Sequence, residues 1–387
     1  MRERGILVDV ASINPPDRLR KDLPQVEATE ADHTFYVKSG GLAGLAFRVF
    51  SIALANPIAT LRGLRAALSL GDWDFKSRAF ALFYLAEALL VGNWMKARAL
   101  THLHVHFGGP VATVGMLTAQ AWKIPWSITL HGPDEFFDQD AFYLKEKIES
   151  AGFVICISDF CRSQVLRISP SLEDRRVEVI RLGVDCAALR PSDARQAHTQ
   201  AQPDHLKLVC TGRMVAAKGH RILLEALALL SAEGIAFTCT LIGDGPERKF
   251  LESLASKMGI ADRIRFLGAM AHQPTLAEVA QADVFVLASF AEGLPVALME
   301  AMALGVPCVS TTIAAIPELI ENRRNGMLVP PANSEALYLA LKELAGDAEF
   351  RRQLGQQARV TAEEHYNLAR NLDTLAAMWL RRLSGQH

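Results

Sequence analysis

The sequence predicts an α/β protein built from two domains, each with a parallel sheet flanked by helices. The chain has 387 residues, which is long for a single hydrophobic core. Short β-branched runs alternate with helical patterns twice along it, as is typical of parallel sheets. A polar stretch over 190–204 lacks apolar periodicity and separates the two sets. We therefore expect domains over 1–189 and 205–365, a linker over 190–204, and a C-terminal helix over 366–387 that packs back toward the first domain.

Composition and charge narrow the classes of function. The formal net charge is −1 at pH 7, which gives no support to a nucleic-acid partner. The six cysteines are scattered without a CxxC pair, so we expect reduced, buried thiols in a cytoplasmic protein. No uninterrupted apolar run reaches the roughly eighteen residues of a transmembrane helix.

The beginning of the chain predicts an incomplete first domain. Residues 4–11 have the pattern of a helix end, a turn and a strand, whereas a ligand-binding α/β domain usually opens with a strand and a Gly-rich turn. Residues 14–40 are rich in proline and charge and predict a long connection. We expect that the first strand and Gly-rich loop are missing because the start was placed too far downstream, rather than because the sheet lacks a strand.

Residues 41–100 combine many Leu, Ala, Phe and Trp residues with more basic than acidic side chains. Two interpretations are open. A basic, apolar helical face can lie on an anionic membrane surface, which would place the protein peripherally on the inner face of the cytoplasmic membrane. Amphipathic helices can equally cover a sheet.

The periodicity predicts the remaining elements in order. In the first domain we expect a helix over 80–90, a strand over 101–107, a helix over 109–123, strands over 126–130, 153–157 and 177–180, and helices over 141–150 and 159–168. In the second we expect strands over 206–211, 237–242, 264–267, 284–288 and 308–310, helices over 219–232 and 246–258, and a helical end after residue 333.

The stretch over 290–305 carries the strongest functional signal. It follows a buried strand pattern, and Gly293 permits a sharp turn into a helix. Glu292 lies in the turn and Glu300 in the helix. Free N–H groups at a helix start attract phosphate, and carboxylates accept hydrogen bonds from sugar hydroxyls, so the stretch predicts a seat for a phosphorylated sugar. A glycosidase acid–base pair is the weaker interpretation, given this placement beside a phosphate-binding turn.

Two more loops follow strands of the second domain. Arg213 and Lys218 would stand at the carboxyl edge of the sheet, where they suit a diphosphate or form a solvated basic pair. Gly243 and Gly245 follow the next strand, but Arg248 occupies the place of the third glycine in the dinucleotide fingerprint. A nicotinamide enzyme is therefore disfavoured.

Histidines mark the first domain. His131 ends a predicted strand and either donates to a substrate hydroxyl or a developing charge, or is structural. His102, His104 and His106 alternate along one strand and share a face. They can hold zinc or form a hydrogen-bonding wall, and the lack of a cysteine or acidic ligand at a matching spacing argues against metal.

Together these elements resemble the retaining glycosyltransferases of family four, which have the GT-B fold of two Rossmann-like domains facing across a cleft. The motifs that carry the resemblance are the loop 212–219, the turn 243–246, Glu292 with Glu300, and the segments 316–318 and 325–330. Segments 102–107, 131–134 and 180–185 are similar to the subgroup that builds bacterial exopolysaccharides of the colanic acid type.

The resemblance implies roles for these residues. Arg213 and Lys218 would clamp the donor diphosphate, and Glu300 would hold the ribose hydroxyls. Glu292 would hold hydroxyls of the donor sugar, and His131 would lie beside that sugar. Further donor contacts are implied at Gly212, Gly243, Gly245, Leu267, Gly293 and Leu294.

The resemblance also implies an activity, namely retaining hexosyl transfer from a UDP- or GDP-sugar to a glycan or lipid-linked acceptor, without a metal or other cofactor. The expected setting is the synthesis of exopolysaccharide or another cell-surface polysaccharide. Alternatives are a GT-B epimerase or phosphorylase, or, given the truncated start, a non-catalytic subunit that binds nucleotide sugars.

Overall fold

The computed structural model describes residues 1–16, 19–23, 25–39, 41–71, 74–140, 142–191 and 205–384. Most of the predicted linker, from residue 192 to residue 204, lies outside the described residues. The chain forms two compact units. The first comprises residues 1–157, 161–179 and 376–387, and the second comprises residues 158–160 and 180–375.

The N-terminal segment has more regular structure than its sequence predicts. Strand β1 (Ala11–Ser12) pairs in parallel with β2 (Phe35–Tyr36), and helix α1 (Gln25–His33) lies between them in the chain. The helix end and turn predicted within 4–11 are present as a 3-10 helix (Arg2–Arg4) followed by a turn at Gly5, but the predicted strand is confined to Ala11–Ser12. The predicted long connection over 14–40 is wrong, because it contains α1 and β2. Helix α1 has few apolar residues and no useful periodicity, and an ion pair at 2.6 Å between Arg2 and Glu30 ties it to the chain start.

The main sheet of the first unit has four parallel strands in the order β3-β4-β5-β6. Its strands are β3 (Leu103–His106), β4 (Trp126–Leu130), β5 (Phe153–Cys156) and β6 (Val177–Val179), and its helices are α5 (Pro110–Trp122), α6 (Pro133–Phe137), α7 (Leu144–Ser150) and α8 (Asp159–Ile168). Every residue of β4 and β5 is buried, as expected of a parallel sheet covered on both faces. The predicted helix over 141–150 begins only at Leu144.

Three helices lie between β2 and this sheet in the chain. They are α2 (Gly41–Ala55), α3 (Pro57–Leu68) and α4 (Phe75–Ala97). The predicted helix over 80–90 is thus the middle of a longer one, with Leu85 and Leu89 buried in the core. Gly92 of α4 lies so close to Trp122 of α5 that a Cβ would come within 2.1 Å of the indole ring. The buried faces of these helices agree with the interpretation that they cover a sheet.

The second unit contains a six-stranded parallel sheet in the order β12-β11-β10-β7-β8-β9. Its strands are β7 (His205–Thr211), β8 (Ala236–Ile242), β9 (Ile264–Gly268), β10 (Val284–Leu287), β11 (Cys308–Thr311) and β12 (Met327–Val329). Its helices are α9 (His220–Ala232), α10 (Arg248–Lys257), α11 (His272–Gln281), α12 (Val296–Ala303), α13 (Ile316–Leu319), α14 (Ser334–Gly346) and α15 (Ala348–His365). The predicted α/β class with parallel sheets is confirmed.

The strand order of this sheet reverses between β7 and β10. The chain builds outward from β7 through β8 to β9, then returns to the other side of β7 with β10. Ligands of open α/β sheets bind at such a switch point, outside the carboxyl ends of the strands. The loops that follow β7 and β10 therefore occupy the favoured place for a site.

The last helix, α16 (Leu368–Leu383), begins in the second unit and ends in the first. Within the first unit, the Trp379 ring packs edge-on against His104, with 5.0 Å between ring centroids. Arg381 and Arg382 both form ion pairs with Glu178 at 2.8 Å. The end of the chain is thereby part of the first unit's packing.

We expect Gly243→Ala to destabilise the second unit. The residue has φ 140°, and a Cβ there would lie 2.0 Å from the carbonyl oxygen of Gly212. Relieving that overlap should cost about 3 kcal/mol or more in the free energy of unfolding, measured by denaturant titration with circular dichroism. The control is Gly346→Ala, because a Cβ at the end of α14 meets nothing within 4 Å. Equal stability of the two variants would refute this account.

Candidate active site

The loop after β7 approaches the end of β10 very closely. Residues 216–218 form a 3-10 turn that ends at Gly219, which has φ 63°. A Cβ on Gly219 would lie 2.0 Å from the carbonyl oxygen of Ala288. Glycine is therefore required here both by the left-handed backbone and by the neighbouring chain. This contact fixes the height of Lys218 above the sheet edge.

Backbone and hydroxyl hydrogen bonds tie down the loop after β10. The Phe290 N–H donates to the Ala217 carbonyl at 2.7 Å, and the Thr311 hydroxyl donates to the Ser289 carbonyl at 2.7 Å. The loop is thus held from both neighbouring strands. Two segments that are about seventy residues apart in sequence become one surface.

Lys218 and Glu292 form an ion pair at the centre of that surface. Their Nζ and Oε1 atoms are 2.6 Å apart, and the Ser289 hydroxyl donates to the same carboxylate oxygen at 2.6 Å. Glu292 is buried, whereas the Lys218 side chain is 25% exposed. The ammonium therefore retains donors that can reach a ligand. The sequence analysis found both charges but missed their pairing and the contact of Ser289. A serine three residues before a loop glutamate could have indicated a hydrogen bond between the two side chains.

Arg213 lies on the same loop as Lys218 but stands alone. Its side chain is exposed, and among the described residues it has no ion-pair partner. Gly212, just before it, has φ 154° and donates its N–H to the Ile242 carbonyl at 2.9 Å. Because the Arg213 guanidinium is exposed and has no ion-pair partner among the described residues, it is available to an anionic ligand at the switch point of the sheet.

Gly243 and Gly245 lie against the backbone of the loop after β7. A Cβ on Gly245 would lie 2.4 Å from the Met214 carbonyl oxygen, and the Met214 N–H donates to the Asp244 carbonyl at 2.9 Å. The loops after β7 and β8 are thereby interlocked through their backbones. Both predicted glycines have a packing reason for their identity, and their contact with a donor stays a prediction.

The start of α12 offers free backbone donors. The N–H groups of Gly293 and Leu294 donate no hydrogen bond within the described part of the chain. Pro295 precedes the helix, and the Leu294 side chain is buried. Unpaired N–H groups at a helix start form a favourable position for an anion.

Glu300 lies on α12 and pairs with a residue that sequence reasoning missed. Its Oε1 is 2.6 Å from the Nε2 of His272, the first residue of α11. The Glu300 side chain is mostly buried, whereas His272 is largely exposed. No local sequence signal joins the two residues, because only the packing of α11 near α12 brings them together. Leu267, the remaining predicted donor contact, is half-buried in the edge strand β9.

His131 belongs to the first unit, at the end of β4. Its Nε2 lies 2.9 Å from Nδ1 of His106, and its ring stacks on Phe107 with 4.3 Å between centroids. Burial, with a smaller contribution from His106, lowers the pKa of His131 to about 4. The imidazole is therefore neutral near pH 7, able to donate or accept one hydrogen bond but unable to supply a positive charge.

Two buried charges hold the backbone around His131. The Glu135 carboxylate accepts from the N–H groups of Gly108, His131 and Gly132, at 2.5, 2.8 and 3.1 Å. The Lys147 ammonium donates to the carbonyls of Gly108 and Gly109 at 2.7 and 3.0 Å, and to that of Phe142. Burial raises the pKa of Glu135 and lowers the pKa of Lys147 to about 7.

Two of the three alternating histidines, His102 and His104, contact the hydroxyl groups of the neighbouring strand. Ser127 is 2.8 Å from both His102 and His104, and Thr129 is 2.8 Å from the second ring nitrogen of His104. Of the two interpretations drawn from the sequence, the structure shows the hydrogen-bonding wall. No group of three metal-ligating side chains occurs among the described residues.

Comparison with known proteins identifies the family. A model described as glycosyl transferases group 1 matches residues 192–361, and one described as glycosyltransferase family 4 matches residues 2–188. Both models describe glycosyltransferases, and together they cover most of the chain. The resemblance drawn from the motifs is confirmed.

Relatives and solved structures agree with this assignment. The chain is 35% identical over 176 residues to a putative colanic acid biosynthesis glycosyltransferase of Salmonella typhimurium, covering 44% of this chain and 42% of the relative. It is 31% identical over 181 residues to an amylovoran biosynthesis glycosyltransferase of Erwinia amylovora, covering 45% and 43%. The matches thus span under half the length of these curated relatives.

The solved structures establish the fold. The Anabaena protein HepE in complex with UDP has a TM-score of 0.65 at 22% identity, with 75% of this chain and 81% of that chain covered. Sucrose-phosphate synthase from Thermosynechococcus elongatus has a TM-score of 0.69 at 20% identity, with 78% of each chain covered. Both likenesses support the predicted GT-B fold of two Rossmann-like units.

We expect the first unit to lose stability as the pH falls from about 6.5 toward 4. Burial lowers the pKa of His102 to about 4 and that of His104 to about 3. In this range the unfolded chain binds protons that the folded chain does not, so the free energy of unfolding falls with pH, by at most about 1.4 kcal/mol per pH unit for each histidine.

Denaturant titrations at several pH values, followed by tryptophan fluorescence, measure this slope. The four described tryptophans (Trp94, Trp122, Trp126 and Trp379) belong to the first unit, and residues 180–375 contain none. His104→Gln should reduce the slope, whereas the control His33→Gln, at an exposed position in the same unit, should leave it unchanged. An unaltered slope in His104→Gln would contradict the assignment.

Proposed function

We propose that this protein is a retaining glycosyltransferase that moves a hexosyl group from a UDP- or GDP-sugar to a glycan or lipid-linked acceptor. The observation that carries the proposal is the ion pair of Lys218 with Glu292 at the switch point of the second sheet, beside the free N–H groups before α12. Arg213 on the loop of Lys218 and Glu300 on α12 are proposed to belong to the same site. The relatives named for colanic acid and amylovoran biosynthesis support a role in making exopolysaccharide or another cell-surface polysaccharide.

Arg213 and Lys218 are proposed to bind the donor diphosphate. Arg213 is an exposed cation without an ion-pair partner among the described residues, and Lys218 is held in position by Glu292. As the glycosidic bond breaks, negative charge grows on the leaving diphosphate, and fixed cations stabilise it more in the transition state than in the ground state. The N–H groups of Gly293 and Leu294 add neutral donors for the same charge.

Glu292 and Glu300 are proposed to hold different parts of the donor. Glu292 accepts from Lys218 and Ser289 through one oxygen, Oε1. Its other oxygen is available to a sugar hydroxyl, because a carboxylate has about four acceptor positions. Glu300 would accept from the ribose hydroxyls, with Leu267 and its backbone near the base. The neutral His131 would hydrogen-bond a substrate hydroxyl.

Residues 41–100 are proposed to contact an anionic membrane surface, which would place the protein peripherally on the cytoplasmic face of the membrane. The segment is rich in exposed apolar side chains and carries more basic than acidic residues. A lipid-linked acceptor would be met at that surface.

Lys218→Ala should weaken UDP or GDP binding about tenfold or more and lower kcat roughly a hundredfold, because one charge-assisted contact to the leaving diphosphate is lost. Binding is measured by calorimetry with UDP and GDP, and turnover by nucleotide release from UDP- and GDP-hexoses in the presence of a membrane glycolipid extract. Lys249→Ala, an exposed lysine on α10, is the matched control. Unchanged turnover of every accepted donor in Lys218→Ala would show the site to be misassigned.

The same assay separates the alternatives. Acceptor-dependent nucleotide release identifies a transferase, and the anomeric proton signals of the product test retention. An epimerase would convert the nucleotide sugar to its epimer without net release of nucleotide, and a phosphorylase would consume orthophosphate and form a sugar 1-phosphate from a glycan. Nucleotide binding without any turnover would indicate a non-catalytic subunit.

Glu300→Ala should raise the KM for the donor by about tenfold through loss of the ribose contact, with a smaller effect on kcat. A donor that carries deoxyribose should bind more weakly than the ribose donor to the native protein but equally well to Glu300→Ala. His272→Ala removes the partner of Glu300 without removing the carboxylate, so it should affect the KM less. A discrimination between the two donors that survives in Glu300→Ala would refute the ribose role.

A further inference from the structure

Helix α2 is apolar on two opposite faces. Leu45, Val49 and Ile52 pack on the hydrophobic core of the first unit. Phe47, Phe50 and Leu54, spaced by three and four residues, are each between 63% and 72% exposed. A helix that only covers a core has polar residues on its outer face. The outer face of α2 is therefore built for a second apolar environment.

Helix α3 extends this apolar face and adds charge. Ile58 and Leu61 are exposed to the same degree as the α2 residues. Arg62 and Arg65 are also exposed, and neither has an ion-pair partner among the described residues. Apolar side chains interleaved with arginines on one helix surface are typical of helices that lie in a lipid headgroup region.

The charge of the two helices is one-sided. Between Gly41 and Gly71 the sequence contains Arg48, Arg62 and Arg65 but no Asp or Glu. At the end of α3 an open hollow of about 540 Å³ is lined by Leu61, Leu64 and Leu68, with the Arg65 and Arg78 side chains also in its lining. Positive charge beside an apolar surface complements anionic lipid.

Other occupants fit these observations less well. Among the described residues no single helix is long and apolar enough to cross a membrane. Residues 44–68 of α2 and α3 reach the length and apolar composition of a span only together, and the pair is bent by 111°. The 12 residues of α3 extend about 18 Å, short of the roughly 30 Å hydrocarbon core. A second copy of the chain would bring like charges together on a surface without carboxylates to pair them.

We propose that α2 and α3 form an interfacial docking face for an anionic lipid bilayer. The bent pair lies in the plane of the membrane surface, with Phe47, Phe50, Leu54, Ile58 and Leu61 inserted and the arginines among the headgroups. The inference rests on the proposed membrane contact of residues 41–100 and names the partner and the inserting side chains. It requires no sugar transfer, so it can hold or fail independently of the enzymatic activity.

The test is binding of the full chain to phosphatidylcholine vesicles with and without phosphatidylglycerol, measured by cosedimentation. Native protein should bind the anionic vesicles. Replacing Phe47 and Phe50 by Ser should lower the partition coefficient roughly tenfold per residue, whereas Phe250→Ser, at an exposed phenylalanine of the second unit, should leave it unchanged. Circular dichroism shows that each variant is folded.

A second pair of variants separates charge from apolar insertion. Arg62→Gln with Arg65→Gln should lower binding to anionic vesicles roughly fivefold per arginine and leave binding to neutral vesicles unchanged. Lys249→Gln is the charge control in the second unit. Equal loss with the control, or no loss with the arginine variants, would overturn the electrostatic part of the proposal.

Insertion itself is read by a fluorophore on Phe50→Cys. All six native cysteines are buried, so an exposed cysteine is labelled selectively. The label should shift to the blue on anionic vesicles and be quenched by lipid-borne quenchers, unlike a label on Phe250→Cys. Absence of vesicle binding by native protein would overturn the proposal. So would a native dimer in lipid-free solution that Phe47→Ser and Phe50→Ser convert to monomer without changing vesicle binding.

Discussion

The candidate site depends on one close approach of backbones. Gly219 lies against the carbonyl of Ala288, and the Phe290 N–H donates to Ala217, so the loops after β7 and β10 meet at the switch point of the sheet. That contact leaves no room for a side chain on Gly219, and it sets Lys218 within 2.6 Å of Glu292. Without it the ammonium and the carboxylate would be two unrelated surface charges, of little value in water.

The ion pair has a cost and a use. Glu292 is buried, and a buried carboxylate without partners would be strongly unfavourable. Lys218 and Ser289 share its stabilisation, which leaves the site charged yet ordered before any ligand arrives. Such an arrangement favours a ligand whose own charge grows during the reaction, because the protein dipoles and charges need not reorganise. In the first unit the buried ionisable residues lie around the candidate group rather than in it. Glu135 and Lys147 are both buried and hydrogen-bond to backbone groups near the neutral His131.

Much of the fold and part of the candidate site could be predicted from the sequence. The alternation of strands and helices indicated parallel α/β units, and loop position relative to each strand was enough to place Lys218 and Glu292 at one sheet edge, where they pair. The failures share a cause. Helix α1 has no apolar periodicity by which it could be predicted and is tied to the chain start by an ion pair, and the exposed Phe47, Phe50 and Leu54 are of the same residue types as core residues. Hydrophobicity read along a chain reports how apolar a helix is, but not which neighbour covers each face.

The sequence by itself determined the fold class, the family motifs and the kinds of charge at the candidate site, because these follow from local periodicity and from residue type at fixed positions relative to strands. Only the tertiary structure decided the partners. The pairing of Lys218 with Glu292, of Glu300 with His272, and of Glu135 with the amide of Gly108 joins residues through packing rather than through spacing. The outward face of α2 and α3 belongs to the same group, because exposure is a property of the whole molecule and no single segment encodes it.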